Sequence, residues 1–176
     1  MFRRAPKQTI PKEDLFDVDP ERGIVTRKID GSRVIALRSV GWATMESELT
    51  STFITGAAVI LQRMGYSYGR YLGKVAKSEE KGLPEVLEVL QDFATESGWG
   101  ELSLNSGNLD TGEARLTLKN CFFCLHIRDS DQPVCYILAG LIGGIIDEIV
   151  GKNHRVLEER CIAKGDAVCE ISVERI

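Results

Sequence analysis

The chain has 176 residues, long enough to bury a hydrophobic core without a structural staple. Hydrophobic residues make up 43% and charged residues 27%, the balance of a globular domain. Lysine and arginine count 22 against 26 acidic residues, so the net charge is -4 and no basic excess points to nucleic acid or an anionic membrane surface as a partner.

Residues 1–23 hold three prolines and no sustained period, which predicts an N-terminal arm ahead of one domain over residues 24–176. No apolar stretch follows Phe2-Arg3-Arg4, so no signal peptide is expected and the chain is read as cytoplasmic. A β-hairpin is predicted from Ile24 to Ser39, with Asp30-Gly31 as its turn. Trp42 to Lys77 has helical spacing: Phe53, Ala57, Ile60, Leu61 and Met64 recur at steps of three and four. Gly65 is expected to interrupt it, and a second helix then carries Tyr68, Tyr71, Leu72 and Val75. Pro84 opens a third helix that buries Val86, Leu87, Leu90 and Phe93, and Gly98 ends it.

From Gly100 the period changes to two. Glu101–Leu104 and Ala114–Leu118 read as strands around a polar turn at Asn108–Gly112, and Cys121 to Arg128 as a further apolar strand. A helix follows Pro133 to Val150, capped by Gly151. Its apolar run, Tyr136 to Ile146, is too short to span a bilayer and reads as a buried core helix. Two strands, His154–Ile162 and Ala167–Val173, close the chain around Lys164-Gly165-Asp166. The fold class is α+β: a block of helices, then an antiparallel sheet with one helix laid across it.

All 5 cysteines follow residue 120, and an odd number without an export signal argues against a disulfide framework. The turn at Gly165-Asp166 brings Cys161 and Cys169 together, with Glu158 three residues earlier and Cys135 at the start of the preceding helix. Three thiolates and a carboxylate can close a tetrahedral zinc shell with no open position, which would be structural. Buried apolar cysteines are the competing reading, and spacing alone leaves both open. Cys121 and Cys124, three apart on a predicted strand, would face opposite ways and form a poor chelate. His126 and His154 read as ordinary, partly exposed histidines.

The stretches Pro133–Gly144 and Glu158–Ile171, with Cys161 and Cys169 flanking the glycine turn, resemble the 4-vinyl reductase domain family. A weaker likeness covers Val40 to Gly73, with Trp42 and Glu48. That family includes proteins described as hydrocarbon-binding, sensor domains of aromatic-responsive transcription activators, and a protein of bacteriochlorophyll synthesis. The resemblance implies a fold like that of TRAPP vesicle-tethering subunits. It also implies structural zinc held by Cys135, Glu158, Cys161 and Cys169, and a homodimer formed through helices. It implies a cavity between helices and sheet, with Trp42, Phe53, Met64, Tyr71, Phe122, Gly140 and Gly144 as ligand-binding candidates. Ordinary core is the competing reading for the aromatic residues, and close helix packing for Gly140, Gly143 and Gly144. No histidine precedes His126, so the histidine of phenol-sensing members has no counterpart; no cysteine precedes Cys121 to carry an acyl chain.

Three functions compete. The first is a non-catalytic sensor or carrier for a small hydrophobic or aromatic molecule, acting through a dimer or a separate protein partner. The second is a tetrapyrrole vinyl reductase or accessory factor. No G-x-G-x-x-G follows a strand to hold a hydride donor, and no nucleophile–base pair stands out, so enzyme activity is disfavoured. The third is an assembly or tethering scaffold without a ligand.

Overall fold

A computed structural model describes residues 15–28, 30–54 and 56–176. Packing divides the chain after Leu37 into two compact units. The first unit contains a small antiparallel sheet of β1 (Phe16–Asp19), β2 (Ile24–Arg27) and β3 (Arg33–Val34), in that order. Its first strand falls in the segment expected to be an irregular arm. The turn into β2 explains it: the Asp19 carboxylate accepts the Arg22 backbone N–H at 3.0 Å, and Gly23 takes φ 62. The predicted hairpin is present, with Val25 opposite Val34, but its strands are shorter than expected. The rest of the predicted arm lies outside the described residues.

The second unit, Arg38–Ile176, begins with three helices: α1 (Ser39–Phe53), α2 (Gly56–Ser78) and α3 (Leu83–Glu96). Helix α2 runs unbroken through Gly65, against the expected interruption. Helix propensity is a weak prior, and here tertiary packing overrides it. At the start of α3, Pro84 occupies the first turn and the Glu85 carboxylate accepts the Gly82 N–H at 2.7 Å.

Strands β4 (Glu101–Asn108) and β5 (Glu113–Lys119) form a hairpin. After helix α4 (Tyr136–Val150) come β6 (His154–Arg160) and β7 (Cys169–Arg175). The sheet order is β4-β5-β7-β6, antiparallel throughout. Cys121 to Arg128 is not a strand. Asn120 turns the chain at φ 53, and a 3-10 turn over Phe122–Cys124 follows.

Helix α4 is the axis of this unit. Leu138, Leu141, Ile142, Ile145 and Ile146 are buried in one core with Leu116, Leu118, Ile171 and Val173 of the sheet and Leu87 and Leu90 of α3. On α2, Gly65 and Gly69 lie against the backbone of Ile137 and Leu141; on α4, Gly140 and Gly144 lie against that of Gln62 and Tyr66. A Cβ at any of the four would overlap a carbonyl oxygen of the opposite helix. The two helices therefore meet backbone to backbone, a closeness only glycine permits. Among the described residues, no helix is long and apolar enough to cross a membrane.

Candidate metal centre

Four segments deliver sulfur to one buried point. Cys124 closes the 3-10 turn after β5, and Cys135 sits at the N-cap of α4. Cys161 follows β6 and Cys169 opens β7. All four are fully buried. The Cys124 Sγ lies 3.5 Å from that of Cys135, 3.6 Å from Cys161 and 3.4 Å from Cys169, and Cys135 to Cys169 is 3.7 Å. A Glu158 carboxylate oxygen joins them, all five donor atoms lying within 4.8 Å of one another. The structure thus brings together the expected Cys135, Glu158, Cys161 and Cys169.

Local backbone explains the convergence. Gly165 at φ 98 turns the chain after Cys161, and the Cys161 N–H donates to the Asp166 carboxylate at 2.8 Å. The Ile162 N–H points at the Cys169 sulfur, 3.4 Å away. Glu158 reaches across from β6, where one carboxylate oxygen accepts the Cys135 N–H at 2.8 Å. Its other oxygen, Oε1, is buried without a hydrogen-bond partner.

Cys124 was not foreseen. Read as a strand, Cys121 and Cys124 would face apart; the 3-10 turn instead points Cys124 into the cluster. Cys121 touches the Cys135 sulfur at 3.4 Å but stands outside the convergent set. The C-x-x-C spacing was the available signal, because a tight turn rather than a strand lets such a pair approach one centre.

Charge is unevenly shared. Hydrogen bonds from the Cys124 and Cys135 thiols lower the Cys161 pKa to about 6. Contact with the Cys121 sulfur pushes Cys124 up to about 12, and Cys135 is raised in the same way. Burial, reinforced by the Cys161 thiolate, raises Glu158 to about 9. Buried soft donors in this number fit a thiophilic cation such as zinc.

The expected ligand-binding residues do not gather. Phe53, Met64 and Tyr71 are more than half exposed on α1 and α2. Trp42 packs edge-on against Phe123, which also meets Trp99 and Phe122 with ring centroids 5.6–5.7 Å apart. Gly140 and Gly144 serve helix packing, as described above. An open cavity of about 210 Å³ lies elsewhere, beside the α2–α4 contact. Val59, Arg63, Tyr66, Gly143 and Val156 line it, and of the expected residues only Gly140 reaches it.

His154 borders this cavity and is buried, not partly exposed. Its Nδ1 is 2.8 Å from the Asp147 carboxylate and its Nε2 is 2.7 Å from the Thr111 carbonyl. Tyr66 donates to the other Asp147 oxygen at 2.9 Å. This chain ties α2, α4, β6 and the β4–β5 turn together at the polar end of the cavity. Nothing in sequence spacing marked it, since its members lie up to 88 residues apart.

Glu46 is a second surprise. It is the only residue of α1 that is fully buried, and neither carboxylate oxygen has a partner. Burial raises its pKa to about 7, an effect partly offset by the Trp42 indole one turn earlier.

A four-stranded antiparallel sheet, a buried helix laid on it and a sulfur cluster where they meet define a class of compact α+β domains. The V4R domain model matches residues 114–175, which contain all of that arrangement except the first strand and the helical block. An uncharacterised protein of Methanocaldococcus jannaschii is 31% identical over 173 residues, covering 98% of this chain and 76% of the relative. A second from the same organism is 26% identical over 109 residues, 62% of each chain. The chain belongs to the V4R, or 4-vinyl reductase, domain family. Among solved structures it resembles the phenol-responsive sensory domain of the transcription activator PoxR with phenol: TM-score 0.74 and 18% identity, covering 92% of this chain and 85% of that one. It also resembles a vinyl-4-reductase family protein of M. jannaschii, with TM-score 0.56 and 18% identity, covering 84% and 86%. A trafficking protein particle complex subunit 3 from Naegleria fowleri, covalently bound to palmitic acid, shares the fold at TM-score 0.59 and 14% identity, covering 78% and 92%.

Proposed function

We propose that this chain is a non-catalytic sensor or carrier domain for a small apolar or aromatic molecule, with a zinc ion as structural clamp. The observation that carries the ligand reading is the cavity beside α2 and α4. Val59, Ala139 and Val156 give it apolar wall, and Gln62, Arg63, Tyr66 and His154 supply polar groups. At about 210 Å³ it is smaller than the roughly 300–1,000 Å³ of drug-sized sites, which suits a single ring or a short chain. The likeness to a phenol-responsive sensory domain supports the same class of ligand.

A bound molecule touches both helices of the glycine contact. Helix α2 also carries Ile60, Met64, Tyr71 and Val75 exposed along one face, away from the cavity. An apolar row of this kind suits a homodimer face. Ligand entry then has a direct route to the dimer: it presses on α2 from the cavity side. The movement is then read out at the dimer face or by a protein partner that binds it.

Zinc in this reading supplies no chemistry beyond holding Cys135 of α4 to Cys161 and Cys169 of the closing hairpin. Mass spectrometry of organics released from the purified chain tests the ligand reading. Recovery of an apolar molecule in stoichiometric amount supports it. Turnover of a vinyl tetrapyrrole with a nicotinamide cofactor would replace it with the reductase reading.

A further inference from the structure

We infer that Cys124 is a metal ligand, so that the zinc shell consists of four sulfurs and Glu158 is a positioning residue beside it. This rests on the zinc reading above and departs from the three-cysteine, one-glutamate shell implied by the family resemblance.

Zinc–sulfur bonds of about 2.3 Å at tetrahedral angles place the sulfurs about 3.8 Å apart. Cys124 meets Cys135, Cys161 and Cys169 at 3.4–3.6 Å, and Cys135 meets Cys169 at 3.7 Å. Four of the six edges of a sulfur tetrahedron are therefore already near their bonded lengths, and Cys124 contributes three of them. No other sulfur in the set has more close sulfur neighbours. A cation at the centre needs only a slight opening of the cluster, not a rearrangement.

Glu158 has a different commitment. Its Oε2 accepts the backbone N–H of Cys135, the residue that caps α4. That bond satisfies a donor that a helix start leaves unpaired and holds the backbone from which Cys135 presents its sulfur. Zinc in closed structural sites takes four ligands. With four soft sulfurs converging, the carboxylate is surplus to the shell, and its partnerless Oε1 stays beside the ion rather than bonded to it. The Ile162 N–H to Cys169 sulfur contact and the α4 N-terminus offset part of the thiolate charge.

The inference changes what the metal holds. Through Cys124 the ion also anchors the turn after β5, and with it Phe123, whose ring meets Trp42 of α1, Trp99 and Phe122. The helical block is then coupled to the metal by one aromatic cluster.

X-ray absorption at the zinc edge of the full chain, purified without chelator, reads the shell without any mutation. Four sulfurs near 2.3 Å and no oxygen are expected. Three sulfurs and one shorter oxygen bond, near 2.0–2.2 Å, would overturn the inference and leave the zinc reading intact. A chain that binds no zinc would overturn both. Variants add a second readout in the cobalt-substituted protein, where thiolate-to-metal charge-transfer absorption scales with the number of sulfurs. Glu158→Gln, which keeps an acceptor for Cys135, and Cys121→Ser should retain full intensity. Cys124→Ser should lose about a quarter of it, or lose the metal outright, if all four sulfurs are ligands. Full intensity in Cys124→Ser with loss in Glu158→Gln would overturn the assignment.

Discussion

Helices α1 and α4 are both 15 residues long, and they are used in opposite ways. Nine residues of α4 are buried, all apolar or glycine; α1 buries one, and that one is Glu46. Helix α4 is held at its start by the sulfur cluster, along its length by α2 and the sheet, and near its end by Asp147. Helix α1 is tied to the rest of its unit at its start, where Ser39 Oγ lies 2.9 Å from His126 Nε2 and Trp42 packs on Phe123, while its Glu46 carboxylate is unpaired and Val40, Met45 and Phe53 remain exposed. The contrast separates a fixed axis from an element free to change its packing. A domain that must respond to a ligand needs both, since moving elements come from the less stable part of a structure.

The largest effect should come from the metal end of α4. Cys169→Ser removes a proposed zinc ligand that also opens β7, and the loss should approach the stability of the whole domain, about 5–15 kcal/mol. Circular dichroism should show no cooperative melt. Next is the glycine contact. Gly69→Ala drives a Cβ into the Leu141 carbonyl, and helix separation should cost about 3 kcal/mol in chemical denaturation. If Gly69→Ala unfolds at the parental denaturant midpoint, α4 is not fixed as described.

Glu46 gives a smaller effect with a sign. Its folded pKa is raised from 4.5 to about 7, so its stabilising contribution is full below about pH 4.5 and is lost as pH rises through about 7. The parent should lose about 2 kcal/mol between pH 5 and pH 8 from this group, and Glu46→Gln should flatten that part of the profile. A profile unchanged by the substitution would mean that Glu46 gains a partner in solution. Smallest of all, Met45→Ala on the exposed face of α1 should change monomer stability by no more than about 0.5 kcal/mol.

Much of this was legible in the sequence, and the failures share physical causes. The apolar run of α4, the closing hairpin and the meeting of Cys135, Glu158, Cys161 and Cys169 followed from spacing and from the family resemblance. Cys124 was missed because alternation was assumed for a segment that Asn120 turns through a positive φ, which no local pattern announces. Glycine is a weak helix former and so predicts a break at Gly65; the backbone contact with Ile137 reverses that preference. The same contact misplaced the ligand candidates. The buried face of α2 is built mostly of small residues, Ala57, Gly65, Gly69, Gly73 and Ala76 beside Leu61, while the larger Met64 and Tyr71 point outward. The Asp147–His154–Tyr66 chain and the burial of Glu46 depend on long-range packing and left no periodic trace.

The central claim is that a single divalent cation locks the start of α4 to the turn after β5 and the closing hairpin. Elemental analysis of the chain purified without chelator tests it most directly, paired with a melt before and after stripping under reducing conditions. The account predicts one zinc per chain and a collapse of the melting transition when the metal is removed. Protein that contains no metal and melts identically before and after chelator treatment would contradict it.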